Sequence, residues 1–340
     1  MTALSNLVLL FAALLLSLLL AETAVRVVGA APVVAPIAKG RFQLSPNPKI
    51  GYEPIPNVGY EGESLEFFQY RGTSNRRGYR GPAYSDAKPP GIYRIAVFGD
   101  SVTEGIGIDD YEDLYTAKLE RKLREAGVDA QVMNFGVSGY NTQQEVETLK
   151  DKAVRLDPDL VLLAYSLNDT AGPGYWILRS LLLDLKDEER VHSFDGDLTR
   201  HLTKSALYRF VRFRLLAPDA DDEKYREYKK YTTDNSVEEY VGELARVTES
   251  SDFETVVVVF PQFTDRTFTA YRHDEDHAYI RSIAEAQGLR VFDLLPAFTT
   301  CRREVEGSLH RDNLHPNKRG HTCAADAIAE FILETLAPEA

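Results

Sequence analysis

Residues 95–105 read Ile95-Ala96-Val97-Phe98-Gly99-Asp100-Ser101-Val102-Thr103-Glu104-Gly105, and the rest of the chain is best read outward from them. A short apolar run ends in a turn, and Ser101 stands just beyond it, with glycine on either side. Ile95–Phe98 suits a strand buried on both faces, where side chains need not alternate with polar ones. In a doubly wound sheet, ligands gather outside the carboxyl ends of such strands, so a serine here is placed to attack one.

From Tyr93 onward, strand and helix signals alternate. Strands are predicted over 94–98, 130–134, 159–165, 255–260 and 290–294, and helices over 112–126, 142–156, 274–287 and 316–336. Gly127 ends the first of these helices. Such alternation implies a parallel sheet covered on both sides, an α/β fold with five strands. The interval at about 170–250 breaks the rhythm. It carries helical signals (175–185, 202–216, 223–231 and 237–248) and no good strand. Leaving the carboxyl end of a central strand, it reads as a helical insertion that caps the site. A side domain away from substrate is the plainer alternative. The boundaries expected are an N-terminal segment at 1–30, a linker and loop-rich lead-in at 31–92, and the main domain at 93–340. Asn75-Arg76-Arg77-Gly78-Tyr79-Arg80-Gly81 is the most marked element of the lead-in.

Leu7 to Ala21 is an unbroken apolar run with Ser17 as its one hydroxyl. It is shorter than the ~20 residues of a spanning helix and closer to a signal-peptide core. Apolar residues continue past Glu22 and Arg26 to Ala38, which favours an uncleaved membrane anchor. The main domain is then extracytoplasmic. Secretion after cleavage near Val28-Gly29-Ala30 is the alternative. The two cysteines, Cys301 and Cys323, bracket Asp312 and His315, and both a disulfide and two reduced thiols stay open.

The net charge of −13 argues against nucleic acid as a partner, because phosphate neutralisation needs a basic face. The basic, aromatic stretch Tyr225–Tyr231 follows Asp219, Asp221, Asp222 and Glu223, and reads as a solvated helix face. His273 and His277 have helical spacing, but zinc needs a third ligand and no glutamate adjoins the first histidine. An acidic helix N-terminus accounts for them. No metal or cofactor is expected.

Four segments fall at the carboxyl edge of the sheet: Gly99-Asp100-Ser101, Asn134 to Gly139, Ser166-Leu167-Asn168-Asp169, and Asp312 to His315 before the last helix. Ser101 can attack an acyl carbon, His315 can take its proton, and Asp312 can hold the imidazole tautomer. The N–H groups of Ser101 and Gly139 and the amide of Asn168 can meet a developing oxyanion. Asp312 and His315 are three apart, so one turn of chain brings them together, and Pro316 suits the first position of the helix that follows. Asp100 and Asp169 are expected to make structural hydrogen bonds.

In this order the four blocks resemble the SGNH (GDSL-type) hydrolase family, from about Tyr93 to the C-terminus without the insertion. The resemblance implies a three-layer α/β/α, flavodoxin-like fold. It implies Ser101 as nucleophile, Asp312 and His315 as orienter and base, and Gly139 and Asn168 as oxyanion donors beside Ser101. Val102 stands where the family usually has leucine, and Ser166 where its third block usually has glycine. The anchor and lead-in resemble bacterial exported members. The expected activity is a serine ester hydrolase that cleaves O-acyl groups from a small-molecule, glycan or lipid substrate through an acyl-Ser101. Two rivals are an O-acyltransferase acting on envelope glycans at the same site, and a catalytically silent glycan-binding envelope protein. No Gly-x-Ser-x-Gly surrounds the serine, which disfavours an α/β-hydrolase.

Overall fold

The computed structural model describes residues 2–31, 41–63, 69–170, 237–263, 271–304 and 307–336, with residues 177, 202, 205–211, 215 and 268 among the intervals. Helix α1 (Thr2–Val28) comes first. Two antiparallel hairpins follow, β1 (Phe42–Leu44) with β2 (Tyr52–Pro54), and β3 (Gly59–Glu63) with β4 (Gln69–Thr73). The central sheet is parallel and has five strands: β5 (Tyr93–Gly99), β6 (Ala130–Gly136), β7 (Leu160–Ser166), β8 (Glu254–Phe260) and β9 (Arg290–Asp293). Their spatial order is β6-β5-β7-β8-β9. The chain therefore leaves β5 toward one edge and returns on its other side to β7. That reversal opens a crevice at the carboxyl end of β5, as in flavodoxin-like folds.

The helices among the described residues are α2 (Ser101–Glu104), α3 (Tyr115–Glu125), α4 (Thr142–Thr148), α5 (Ala206–Phe210), α6 (Val237–Glu249), α7 (Asp274–Ala286), α8 (Leu295–Glu304) and α9 (Lys318–Thr335). Alternate strand residues feed two cores. Ala96, Phe98, Met133, Phe135, Leu163 and Val257 pack under α4, α6 and α7. Ile95, Val97, Val132, Leu162, Val256 and Val258 pack under α3 and α9. Every residue of β6 and β7 is buried, which explains the unbroken apolar run Leu160–Tyr165 of β7. On α3, Tyr115, Leu119 and Leu123 recur one helical turn apart and form its buried stripe. Each such leucine contributes about 1.5–3 kcal/mol by leaving water. The three-layer α/β/α architecture is thus the one the strand–helix alternation implies.

Several expectations are corrected. The helix predicted over 142–156 stays α-helical only to Thr148. A π turn (Leu149–Ala153) and a 3-10 turn (Val154–Leu156) complete it, and Asp157 ends it at φ +54°. Pro316 is not the first residue of the last helix. Asn317 caps α9 through bonds from Arg319 and Gly320 N–H, and Pro316 pairs with His310 in an isolated bridge. Helix α8 gave no sequence signal because Phe298 is its one buried residue. The loop-rich lead-in also contains the two hairpins, whose strands of three to five residues are too short to register in the sequence.

Most of the insertion expected at about 170–250, including the helices read at 175–185 and 223–231, lies outside the described residues. Its last predicted helix, α6, packs against α4 and α7 and so belongs to the layer over the sheet rather than to a cap. Helix α5 caps differently: Ser205 Oγ and the N–H groups of Ala206 and Leu207 donate to the Glu22 carboxylate of α1, at 2.7, 2.9 and 2.7 Å. Ser5–Val28 of α1 is long and apolar enough to cross a membrane (mean hydropathy 2.4), and none of it is buried. Cys301 of α8 and Cys323 of α9 are joined in a disulfide, with Cα atoms 6.3 Å apart.

Candidate active site

Ser101 is the first residue of α2, directly beyond β5. Asp100 caps this helix by accepting the Val102 N–H at 2.8 Å. As the first helical residue, Ser101 has an N–H with no intrahelical partner. Its hydroxyl lies 2.8 Å from His315 Nε2, and His315 Nδ1 lies 2.7 Å from Asp312 Oδ2. The other Asp312 oxygen accepts the N–H groups of Leu314 and His315, both at 2.7 Å. Burial pushes the Asp312 carboxyl up, but the His315 ring and these two N–H groups outweigh it and hold the group well below the usual carboxylate range. An ionised Asp312 fixes the proton of His315 on Nδ1 and leaves Nε2 free to accept from Ser101. The structure therefore brings Ser101 to a pair, Asp312 and His315, that lies more than two hundred positions further along the chain.

The loop carrying Asp312 is held from outside itself. Phe263 donates its N–H to Asn313 O at 2.7 Å, and its ring stacks on His310 with centroids 4.9 Å apart. His310 Nδ1 in turn lies 2.8 Å from Asp312 O. The disulfide joins the two helices that flank this loop.

Gly139 occupies a four-residue turn closed by the Tyr140 N–H bond to Val137 O at 3.1 Å. Its φ of +77° is one that other residues rarely adopt. The neighbouring Ser138 is gripped on several sides. Glu104, the last residue of α2, accepts its N–H at 2.7 Å and its hydroxyl at 2.5 Å. Buried Arg41 pairs with Glu104, and the Tyr52 hydroxyl donates to Ser138 O at 2.7 Å. Gly136 lets β6 approach α2: a Cβ there would sit 2.3 Å from the Glu104 nitrogen. Arg80, from the marked lead-in element, donates to the carbonyls of Glu104, Gly105 and Asp109. Arg41, Tyr52, Arg80 and Glu104 were missed in the sequence because no motif links the lead-in to the turns it supports.

Asn168 follows β7 directly, in the 3-10 turn Leu167–Thr170. Its side chain lies outside the described residues. Ser166, in the position where glycine is usual, donates its hydroxyl to Asp100 at 3.3 Å and its N–H to Asp169 at 3.3 Å. It thus ties the first block to the third. Both aspartates make the structural bonds expected of them. Glu145 lies near this pair, fully buried, and neither of its oxygens has a hydrogen-bond partner among the described residues. Burial, then the charge of Asp100, pushes the Glu145 carboxyl well above its usual range.

The two histidines at helical spacing have separate partners. His273 pairs with Asp276 at 2.9 Å, and His277 bridges Asp293 at 3.0 Å and the Tyr271 hydroxyl at 2.8 Å. Among the described residues no group of three potential ligands converges on a metal position. A cavity of about 760 Å³ lined by Tyr60, Arg71, Arg80, Asp109 and Tyr111 includes none of Ser101, Gly139, Asp312 or His315.

The model of the GDSL-like Lipase/Acylhydrolase family matches residues 97–323. No curated protein matches the chain. Similar solved structures include an acetyl xylan esterase, AlAXEase, at 15% identity over 70% of this chain and 99% of that one, with a TM-score of 0.43. A catalytic mutant of Axe2, an acetylxylan esterase from Geobacillus stearothermophilus, is 16% identical over 72% of this chain and 95% of its own, with a TM-score of 0.43. TesA is 15% identical over 72% and 99%, with a TM-score of 0.44.

Proposed function

Because the chain belongs to the GDSL-like lipase/acylhydrolase family, we propose that it cleaves carboxylic O-acyl esters through a covalent acyl-Ser101. The reading rests on the hydrogen-bonded relay from Ser101 Oγ through His315 to the ionised Asp312. Ser101 Oγ attacks the ester carbonyl while His315 Nε2 takes its proton. Asp312 keeps the imidazole in the accepting tautomer and stabilises the imidazolium without being protonated itself. The tetrahedral oxyanion is met by the N–H groups of Ser101 and Gly139 and by the Asn168 amide. As the intermediate collapses, His315 returns the proton to the leaving alcohol. Water, deprotonated by His315, then attacks the acyl-Ser101 and releases the acid. No cofactor enters either half of the cycle.

The substrate is an acylated small molecule, glycan or lipid, and α1 holds the domain at a membrane with the site outside the cytoplasm. The unburied apolar helix and the Cys301–Cys323 bridge support that location, since disulfides persist in oxidising compartments. The test is turnover of an ester panel of varied acyl length, with a serine-directed phosphonate located by mass spectrometry. Ser101→Ala is expected to lose turnover by about 10⁶-fold, and Asn168→Ala by about 10²–10³-fold. Near-normal turnover by Ser101→Ala, or labelling at another serine, would overturn the reading.

A further inference from the structure

We infer that Tyr52, a lead-in residue outside the family-matched segment, is a positioning residue for the oxyanion site, because its hydroxyl sets the direction in which the Gly139 N–H points. The inference rests on the acyl-transfer reading above. The turn Val137–Tyr140 has glycine at its third position with φ +77°, the mark of a type II turn. Type I and type II turns differ mainly by a half-rotation of the central peptide, here the one joining Ser138 to Gly139. In a planar trans peptide the C=O and N–H point in opposite directions. The Tyr52 hydroxyl donates to Ser138 O at 2.7 Å, so the Gly139 N–H points away from Tyr52. The bonds to Glu104 do not decide this, since they hold the Ser138 N–H and hydroxyl, which belong to the preceding peptide and the side chain.

Tyr52 is itself fixed. Its ring is 1% exposed and meets Phe42 and Tyr140 edge-on, with centroids 5.5 and 5.3 Å apart. The Tyr140 hydroxyl donates to Tyr52 O at 2.6 Å, so the two tyrosines cross-lock β2 and the turn. Burial pushes the Tyr52 phenol well above its usual range, which keeps it a donor. A rotamer-locked donor on a rigid scaffold is what preorganised transition-state stabilisation requires.

The experiment compares Tyr52→Phe with the full chain in detergent, using a short-chain p-nitrophenyl ester. Expected is a fall in kcat of about 10- to 100-fold, below the ~10²–10³-fold cost of deleting an oxyanion donor outright. KM should stay within about twofold, because ground-state binding is unaffected. An alkylboronic acid, which forms a tetrahedral adduct on the nucleophile, should lose affinity by the same factor as kcat/KM. Tyr84→Phe removes a lead-in phenol that bonds Glu120 of α3 and makes no hydrogen bond to the turn, and should leave kcat unchanged. A folded Tyr52→Phe with wild-type kcat overturns the inference, as does a loss that only follows the folded fraction. Failure of Tyr52→Phe to fold also overturns it, since the hydroxyl then serves the fold as a whole. The two readings separate on Ser101→Ala. If that variant keeps turnover, the esterase assignment falls; if it is inactive while Tyr52→Phe is unaffected, only the role of Tyr52 falls.

Discussion

Acidification should unfold this protein from behind Ser101, at His321. This ring is 1% exposed, lies against Tyr115 with centroids 5.8 Å apart, and accepts the Tyr115 N–H on Nδ1 at 3.1 Å. Burial, reinforced by the cations Arg80 and Lys118, pushes its pKa down to about 3. An unfolded histidine titrates near 6.5, so between pH 6.5 and 3 the unfolded chain binds the extra proton. The sign follows: the folded pKa is depressed, so stability is full above 6.5 and is lost as pH falls. At pH 5 the unfolded ring is protonated over the neutral form by a factor of about 30, which is worth about 2 kcal/mol. The consequence reaches the site, because the Tyr115 hydroxyl bonds Thr103 of α2 at 2.8 Å. Urea titrations of the wild type and His321→Gln at pH 7.5 and pH 5 provide the measurement. The wild type should lose about 2 kcal/mol more than the variant over that interval. Equal losses in the two chains would refute the assignment of the acid sensitivity to this ring.

Glu145 should act in the opposite direction. Its raised pKa means stability present below about 4.5 and lost as pH rises through the folded value, so Glu145→Gln should flatten the decline on the alkaline side. Denaturation midpoints from pH 5 to 9 test this, and parallel curves would exclude it. Reduction of Cys301–Cys323, which closes a loop spanning 22 positions, should cost about 3 kcal/mol on the chain-entropy account. A thermal melt of Cys301→Ser/Cys323→Ser unchanged from the wild type would contradict that. Gly136→Ala should displace α2, given the 2.3 Å its Cβ would leave to the Glu104 nitrogen, and turnover should fall by at least about 10-fold. Unaltered steady-state rates would show that the backbone absorbs the contact.

What was legible in the chain was legible for physical reasons. Strands buried on both faces leave unbroken apolar runs, so β5, β7 and β8 could be found to within a residue or two. Asp312 and His315 lie three apart, and local spacing announced them. The supports of the site obey no such rule. Arg41 and Tyr52 reach Ser138 across about ninety positions through single hydrogen bonds, and neither carries a periodic signature. Helix α8 buries one aromatic and otherwise shows polar residues, so its period was invisible. Pro316 was misplaced because the cap falls to Asn317, whose side chain is the stronger start signal. Ser166 shows the converse, a substitution in an expected motif that supplies an added bond between blocks.

The bond from Arg41 to Ser138 also limits how far the site can range. Residues 29–40 are all that separates Arg41 in sequence from the last residue of α1, and the thirteen steps between them span at most about 47 Å fully extended. On the anchoring proposed above, that tether sets the working range: esters displayed within a shallow shell above the lipid would be within reach, and those borne on more distant material would have to come to it.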